Sequence, residues 1–216
     1  MVRLIALAGL TAAPALACDT ALLLAIDVSG SIDGGDYRLQ TEGLSAALSD
    51  PGVTEALVRG EVALAVVQWS GSSQQALVLP WRRMLDPGAV ARLADSAAAM
   101  PRAFRGSDTA VGEAITHSLA QFAPVADCGR RVIDISGDGQ ENAGFTDASA
   151  RSEAVTAGVT INAIAIEEPG PAFPITGYYR GRVITPGGFV VTARGLQDYA
   201  RTLRLKLLRE LEKPVG

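Results

Sequence analysis

The apolar run Ala21-Leu22-Leu23-Leu24-Ala25-Ile26 stops abruptly at Asp27-Val28-Ser29-Gly30-Ser31. A continuous apolar run bounded by turn residues predicts a strand buried on both faces, and such strands belong to parallel sheets covered by helices on either side. A carboxylate and two hydroxyls spaced two residues apart at the end of that strand bring hard oxygen donors to one point, which suits a small divalent cation. One short segment thus constrains both the architecture and the chemistry.

The rest of the chain repeats the alternation of short apolar runs with helical patterns. Tyr37 to Leu48, with Leu39, Leu44, Ala47 and Leu48 at helix-like intervals, predicts a helix that stops near Asp50-Pro51-Gly52. Glu61 to Trp69 predicts a second strand and Gln75 to Trp81 a short edge strand antiparallel to it. Asp86 is placed to cap a helix that begins at Pro87 and ends near Met100, and a further helix opens at Asp108 or Thr109 and runs to the vicinity of Phe122. Arg131 to Ile135, Val159 to Ile166 and Phe189 to Thr192 predict strands, while Thr146 to Ala157 and Leu196 to Glu212 predict helices. The expected fold is α/β: a doubly wound, mostly parallel central sheet of about six strands, with helices on both faces and one short antiparallel edge strand. A length of 216 residues with 48% hydrophobic residues fits one domain. The formal charge of -4 and pI near 5.1 speak against a nucleic-acid partner held by a basic face, and against attraction to an anionic membrane surface.

The first residues read as an address. Arg3, the apolar stretch Leu4 to Ala13, which is too short to span a bilayer, and Pro14-Ala15-Leu16-Ala17 predict a signal peptide cleaved after Ala17. Residues 18–216 are then the folded domain, in the periplasm or secreted. Cys18 follows the cut, so a lipid anchor on it is one alternative, although Ala15 stands where a lipidation signal wants Leu. The other alternative pairs Cys18 with Cys128, the remaining cysteine, in an oxidising compartment. Each cysteine flanks the start of a predicted strand, so parallel neighbouring strands would bring both thiols to the same lower edge; two separate buried thiols is the competing reading. A bridge closing a loop of about 110 residues would contribute on the order of 4 to 5 kcal/mol, less any strain.

Ligands of an open parallel sheet collect outside the carboxyl ends of the strands, where the strand order reverses. Two further polar loops are expected at that edge: Arg105-Gly106-Ser107-Asp108-Thr109, which brings a hydroxyl, and Ser136-Gly137-Asp138-Gly139, which brings a second acid. Asp27-x-Ser29-x-Ser31, Thr109 ahead of Gly112-Glu113-Ala114-Ile115, and Asp138-Gly139 after an apolar strand together resemble the metal-ion-dependent adhesion site of the von Willebrand factor A-type domain superfamily. The resemblance spans nearly all of residues 18–216 in motif order. Ile133-Asp134-Ile135-Ser136-Gly137-Asp138-Gly139, Tyr178-Tyr179-Arg180 and the secretory start are more narrowly similar to an uncharacterised group of secreted bacterial proteins within it.

The resemblance implies a cation-binding protein module. Ser29, Ser31 and Thr109 would reach Mg2+ or Mn2+ directly or through water, and Asp27 and Asp138 would act as outer anchors. Neutral hydroxyls leave much of the ionic charge uncompensated, so an Asp or Glu carboxylate of a protein partner would complete the site. Gly137 departs from the pattern, because many relatives carry Thr before the second Asp.

Blander roles compete for several residues. Ser29 or Ser31 alone would serve as a helix cap, as Asp33 and Asp36 are expected to do. Asp134, within an apolar strand, reads as a hydrogen-bonded structural acid. Arg201, Arg204, Lys206 and Arg209 read as the solvated face of the last helix, with Leu203, Leu207 and Leu211 packed on the sheet. Trp69 and Trp81 read as packing residues. The segment 167–188 shows no helix pattern and begins at the same rim. Its Tyr178, Tyr179, Arg180 and Arg182 are candidate partner anchors, and a hairpin folding Tyr178 to Ile184 back on Phe189 to Thr192 is the alternative. A metal-dependent hydrolase or phosphotransfer enzyme on the same acidic rim is the second functional reading. It is weakened because His117, the sole histidine, is predicted well down a helix and no phosphate-binding glycine loop occurs.

Overall fold

A computed structural model describes residues 18–106, 108–168 and 174–212. The expected signal peptide lies outside the described residues. The six strands are β1 (Cys18–Asp27), β2 (Ala63–Trp69), β3 (Gln75–Arg83), β4 (Cys128–Gly137), β5 (Thr160–Glu167) and β6 (Val190–Arg194), ordered β3-β2-β1-β4-β5-β6. Every neighbouring pair is parallel except β2 and β3. The expected doubly wound sheet is therefore the observed one, and β3 is the antiparallel edge, running beyond Trp81 to Arg83.

Period-two alternation along β1 divides its apolar residues between two cores. Leu22, Leu24 and Ile26 face α1 (Gly34–Leu48), α2 (Pro51–Arg59), α3 (Pro87–Ala98) and α7 (Tyr199–Leu211). Ala21, Leu23 and Ala25 face α4 (Val111–Leu119), α5 (Asp147–Thr156) and the short segment that begins with α6 (Ile175–Tyr178). Full burial of each leucine contributes about 1.5 to 3 kcal/mol, so this central strand is held from both sides.

Carboxylates set the helix starts. Asp33 Oδ1 accepts from the Gly35 and Asp36 amides at 2.6 and 2.9 Å, and Asp36 accepts in return from the Asp33 amide, so both acids cap α1 as expected. Asp86 caps α3 ahead of Pro87. Asp50-Pro51-Gly52 ends α1 as expected but also opens α2, a helix the sequence reading missed. Asp50 accepts from the Gly52 and Val53 amides, and proline at the first helical position lacks only a donor that would have been unpaired there.

Residues 175–183 form a helical turn followed by a wider π-type turn, not the hairpin considered for them. Tyr179 and Val183 point into the core from that segment.

Cys18 and Cys128 are register partners at the start of β1 and β4, with Cα atoms 4.5 Å apart, and they form a disulfide. The same two strands are thus covalently joined at the lower edge. Lys206 corrects the reading of α7 as a solvated basic face. It is 1% exposed, and its Nζ lies 2.6 Å from Asp134 Oδ1 and 2.5 Å from Glu210 Oε1, while Asn162 Nδ2 donates to Glu210 Oε1 at 2.7 Å. Burial and the Glu210 carboxylate raise the pKa of Asp134 to about 7, against the lowering effect of Lys206. Asp134 is structural as expected, and its partner is the residue assigned to solvent.

Breaking a buried ion cluster by removing one member leaves uncompensated charge and costs about 3 to 5 kcal/mol. Lys206→Ala is expected to lose that much in chemical denaturation, whereas exposed Arg201→Ala should change stability by less than about 1 kcal/mol. Equal effects of the two substitutions would contradict the buried role of Lys206.

Candidate functional site

β1 and β4 lie side by side where the connections from the sheet diverge, so the chain leaves them in different directions and opens a crevice above their carboxyl ends. Asp27 ends β1 and is wholly buried. Its Oδ1 accepts from the Ser29 amide at 2.7 Å, which curls the next residues back over the strand. Arg102 fixes the same turn from the side, its Nη2 donating to the Val28 and Ser29 carbonyls at 2.9 and 3.0 Å, and Gln40 Nε2 donates to the Asp27 carbonyl at 3.1 Å.

The expected site residues converge. Ser31 Oγ donates to Asp138 Oδ1 at 2.6 Å, Ser31 and Ser29 hydroxyls are 3.2 Å apart, and Thr109 Oγ1 lies 3.5 Å from Ser29 Oγ. Oxygens from three separate loops therefore form one continuous array. Ser29 and Thr109 are buried, and Ser31 lies at the exposed mouth.

Two residues that the sequence reading missed hold the loops in this arrangement. Asn142 Oδ1 accepts from the Thr109 amide at 2.8 Å, and the Asn142 amide donates to the Thr109 carbonyl at 2.9 Å. Glu141 caps two helices at once, accepting from Gly112 of α4 at 2.9 Å and from Asp147 of α5 at 3.0 Å. Neither helix carries a capping hydrogen bond from its own N-cap side chain. The loop after Asp138 is thereby tied to the loop that carries Thr109. Gly112 is required at this junction, because a Cβ there would strike Thr146 and the backbone of Asp147. The only sequence signal was a run of polar residues after Asp138, with no spacing that names a partner.

Electrostatics set this edge apart. Burial, and then the nearby Asp138 charge, raise the pKa of Asp27 from 3.8 to about 7. Asp138 is raised as well, chiefly by burial, with the Ser31 hydroxyl opposing. No arginine or lysine is among the groups that set either shift. Among the described residues no group of three or more His, Cys, Asp or Glu is arranged to hold a metal; the array here is two acids and three hydroxyls.

The candidate partner anchors separate. Tyr179 is a correction, being 0% exposed and so unavailable to a partner. Tyr178 OH and the Arg182 guanidinium both donate to Asp147, the latter in bidentate fashion at 3.0 and 2.6 Å, so they fasten the segment to α5. Arg180 is exposed. His117 sits in the last turn of α4 beside Gln121, 3.5 Å from its amide nitrogen, and is not among the hydrogen-bond partners of Ser29.

Residues 17–215 match a family profile described as "Protein of unknown function (DUF1194)". No curated protein matches the sequence significantly. Solved structures that resemble the chain include proximal thread matrix protein 1 from the mussel byssus, with a zinc-occupied metal-ion-dependent adhesion site (18% identity, TM-score 0.66, covering 89% of this chain and 48% of that one). The pilus adhesin SpaC from Lactobacillus rhamnosus GG also resembles it (10% identity, TM-score 0.66, 90% and 30% covered). A von Willebrand factor type A protein from Catenulispora acidiphila is similar too (18% identity, TM-score 0.63, 92% and 44% covered). The chain spans less than half the length of each of these proteins, and at such identities the likeness establishes the von Willebrand factor A-type fold.

The raised pKa of Asp27 has a thermodynamic sign. Between 3.8 and about 7 the folded state binds a proton that the unfolded chain has released, so this contribution to stability is complete below pH 3.8 and is lost as pH rises through 7. In chelator, Asp27→Asn is therefore expected to gain stability relative to the parent protein as pH rises across that window, by on the order of 2 to 4 kcal/mol. A difference between the two proteins that does not change with pH would show that Asp27 ionises normally in the fold.

Proposed function

Because the chain belongs to the DUF1194 family, whose function is unknown, we propose its role from the site itself: a divalent-cation-dependent protein-binding module of adhesion type. Ser29, Ser31 and Thr109 hold Mg2+ or Mn2+, with Asp27 and Asp138 as anchors behind them, and a partner's Asp or Glu carboxylate completes the shell. The observation that carries this reading is the convergence of those hydroxyls and carboxylates into one array that contains no protein cation.

The residues fit such an ion. Asp27 Oδ2 is buried without a hydrogen-bond partner, and burial raises both acids, with Asp138 adding to the shift of Asp27, so a nearby divalent charge would favour their ionised forms. Oxygen donors of this hardness favour magnesium or manganese over softer metals. When bound, the cation supplies an electropositive point for an anionic ligand. The protein's own part is to hold the hydroxyls in place through Arg102, Glu141 and Asn142.

The surface beside the array suits a protein ligand. A cleft of about 540 Å³ borders the loop that follows Asp138, lined by Gln140, Glu141, Tyr178 and Arg182. Phe145 on its rim is 78% exposed and has a φ of 55°, an unusual conformation for a bulky residue that holds the ring outward. An exposed aromatic is a common form of interface anchor, and the exposed Arg180 is a further candidate anchor. The disulfide favours an oxidising compartment, the periplasm or the exterior, with residues 1–17 as the cleaved leader and residues 18–216 as the folded domain. A bilayer anchor through Cys18 is disfavoured because its sulfur is engaged with Cys128. No described helix is long and apolar enough to cross a membrane.

Calorimetric titration of the purified protein with Mg2+ and Mn2+ is expected to show one site, and Asp27→Ala with Ser29→Ala to remove it. Capture of an envelope protein should occur with cation and be lost in chelator. Retention of both responses by the double variant would reject the site. Hydrolysis of a generic phosphoester that Asp27→Ala abolishes would instead favour the enzymatic reading.

A further inference from the structure

Asp27 pairs with Trp69 across β1 and β2, and Ile26 pairs with Ser136 across β1 and β4, so the next step of register sets Gly137 beside Asp27. Trp69, Asp27 and Gly137 thus form one row across three adjacent strands. The row faces the core that contains Tyr179, which reaches it from the turn at residues 179–183.

Gly137 has no side chain to fill its place in that row, and the Tyr179 hydroxyl fills it instead. A Cβ at residue 137 would strike the Tyr179 hydroxyl, and would stand 2.8 Å from Asp27 Oδ2 and 3.3 Å from Trp69 Cζ2. The phenolic oxygen and the carboxylate oxygen therefore border the same small volume. Both are buried, and neither has a hydrogen-bond partner; Trp69 Nε1, on the same indole edge, has none either. A carboxylate oxygen only accepts and a phenol donates, so the two orphaned groups are chemically complementary. Stranded buried polar groups are rare in native proteins, and mutual pairing removes the penalty for both.

We propose that Tyr179 is a positioning residue for the cation site: its hydroxyl donates to Asp27 Oδ2 through the space that Gly137 leaves open. The Ser29 amide holds Oδ1 of the same carboxylate. With both oxygens fixed, the carboxylate cannot swing, and its remaining lone pairs stay aimed at the hydroxyl array. This rests on the cation reading given above and assigns a function to a residue that lies on neither of the loops bearing the hydroxyls. It also accounts for why the segment after β5 turns inward at Tyr179 while Tyr178 and Arg182 fasten it to Asp147. Burial and the Asp27 charge keep the phenol protonated, which preserves its donor.

The test compares Mn2+ affinity and chelated melting temperature in the full chain for the parent protein, Tyr179→Phe and Asp27→Ala. Tyr179→Phe keeps the ring and is expected to weaken Mn2+ binding by about tenfold or more, the usual effect of losing a hydrogen bond to an anchoring carboxylate. A purely structural tyrosine would lower the melting temperature and leave the affinity alone, and that result would overturn the proposal. A parent protein that binds no Mn2+ would sink the cation reading and this proposal together, whereas binding retained unchanged in Tyr179→Phe would sink this proposal alone. A second readout does not depend on the Phe variant folding. In the parent protein the Tyr179 phenolic proton is expected as a slowly exchanging NMR resonance that Asp27→Ala removes; its absence in the parent protein would count against the bond.

Discussion

A buried carboxylate at the point where the strand order reverses is the constraint on which the rest of the molecule depends. Asp27 is wholly buried beside a second acid, and among the described residues no arginine or lysine is one of the groups that set the pKa of either. Such a group is unfavourable in its charged form unless something in the fold or in solution compensates it. Dipoles compensate it in part: the Ser29 amide donates to Oδ1, and the Ser29 hydroxyl and the Asp138 backbone also favour the charged form. Ordinary core side chains would have been the more stable choice at this position.

The two strands that form this site are secured at both ends. Below, the Cys18–Cys128 bridge joins β1 to β4; above, the Ser31–Asp138 hydrogen bond joins the loops that leave them. The Lys206 cluster couples α7 to β4 through Asp134 one layer away, on the opposite face from Asp27. Polar interactions buried on both faces of one strand demand a specific register, since a shift by one residue would turn Asp134 and Gly137 to the wrong sides. The apolar residues supply most of the driving force for folding, and these few polar contacts decide which alignment it produces.

Much of the architecture was legible in the sequence because it follows from local rules. The apolar runs gave strands buried on both faces, the Asp-Pro pair at Asp86 gave a helix start, and the cysteine spacing gave a bridge once the strands were taken as parallel neighbours. Asp27, Ser29, Ser31, Thr109 and Asp138 were nameable because strand ends in such a sheet meet at one edge and because their motifs together resemble a known cation site. Other features depend on distance in space and left no local trace. Lys206 has the spacing of a solvated residue, and only the placement of Asp134 beneath α7 shows why it is buried. Glu141 and Asn142 reach back to α4 and the Thr109 loop, 29 and 33 residues away, while Glu141 also caps α5 close by. Tyr179 looked like a surface aromatic between Tyr178 and Arg180, and its hydroxyl instead packs where Gly137 of β4 carries no side chain.

The most direct measurement of the central claim is a crystal structure of the protein grown with Mn2+, read by the anomalous signal of the metal. One ion bonded to the hydroxyl oxygens of Ser29 and Ser31, with Thr109 in direct or water-mediated contact and Asp27 and Asp138 behind, is the predicted result. Saturating Mn2+ with no anomalous peak among those oxygens, or with a peak only elsewhere on the surface, would contradict it.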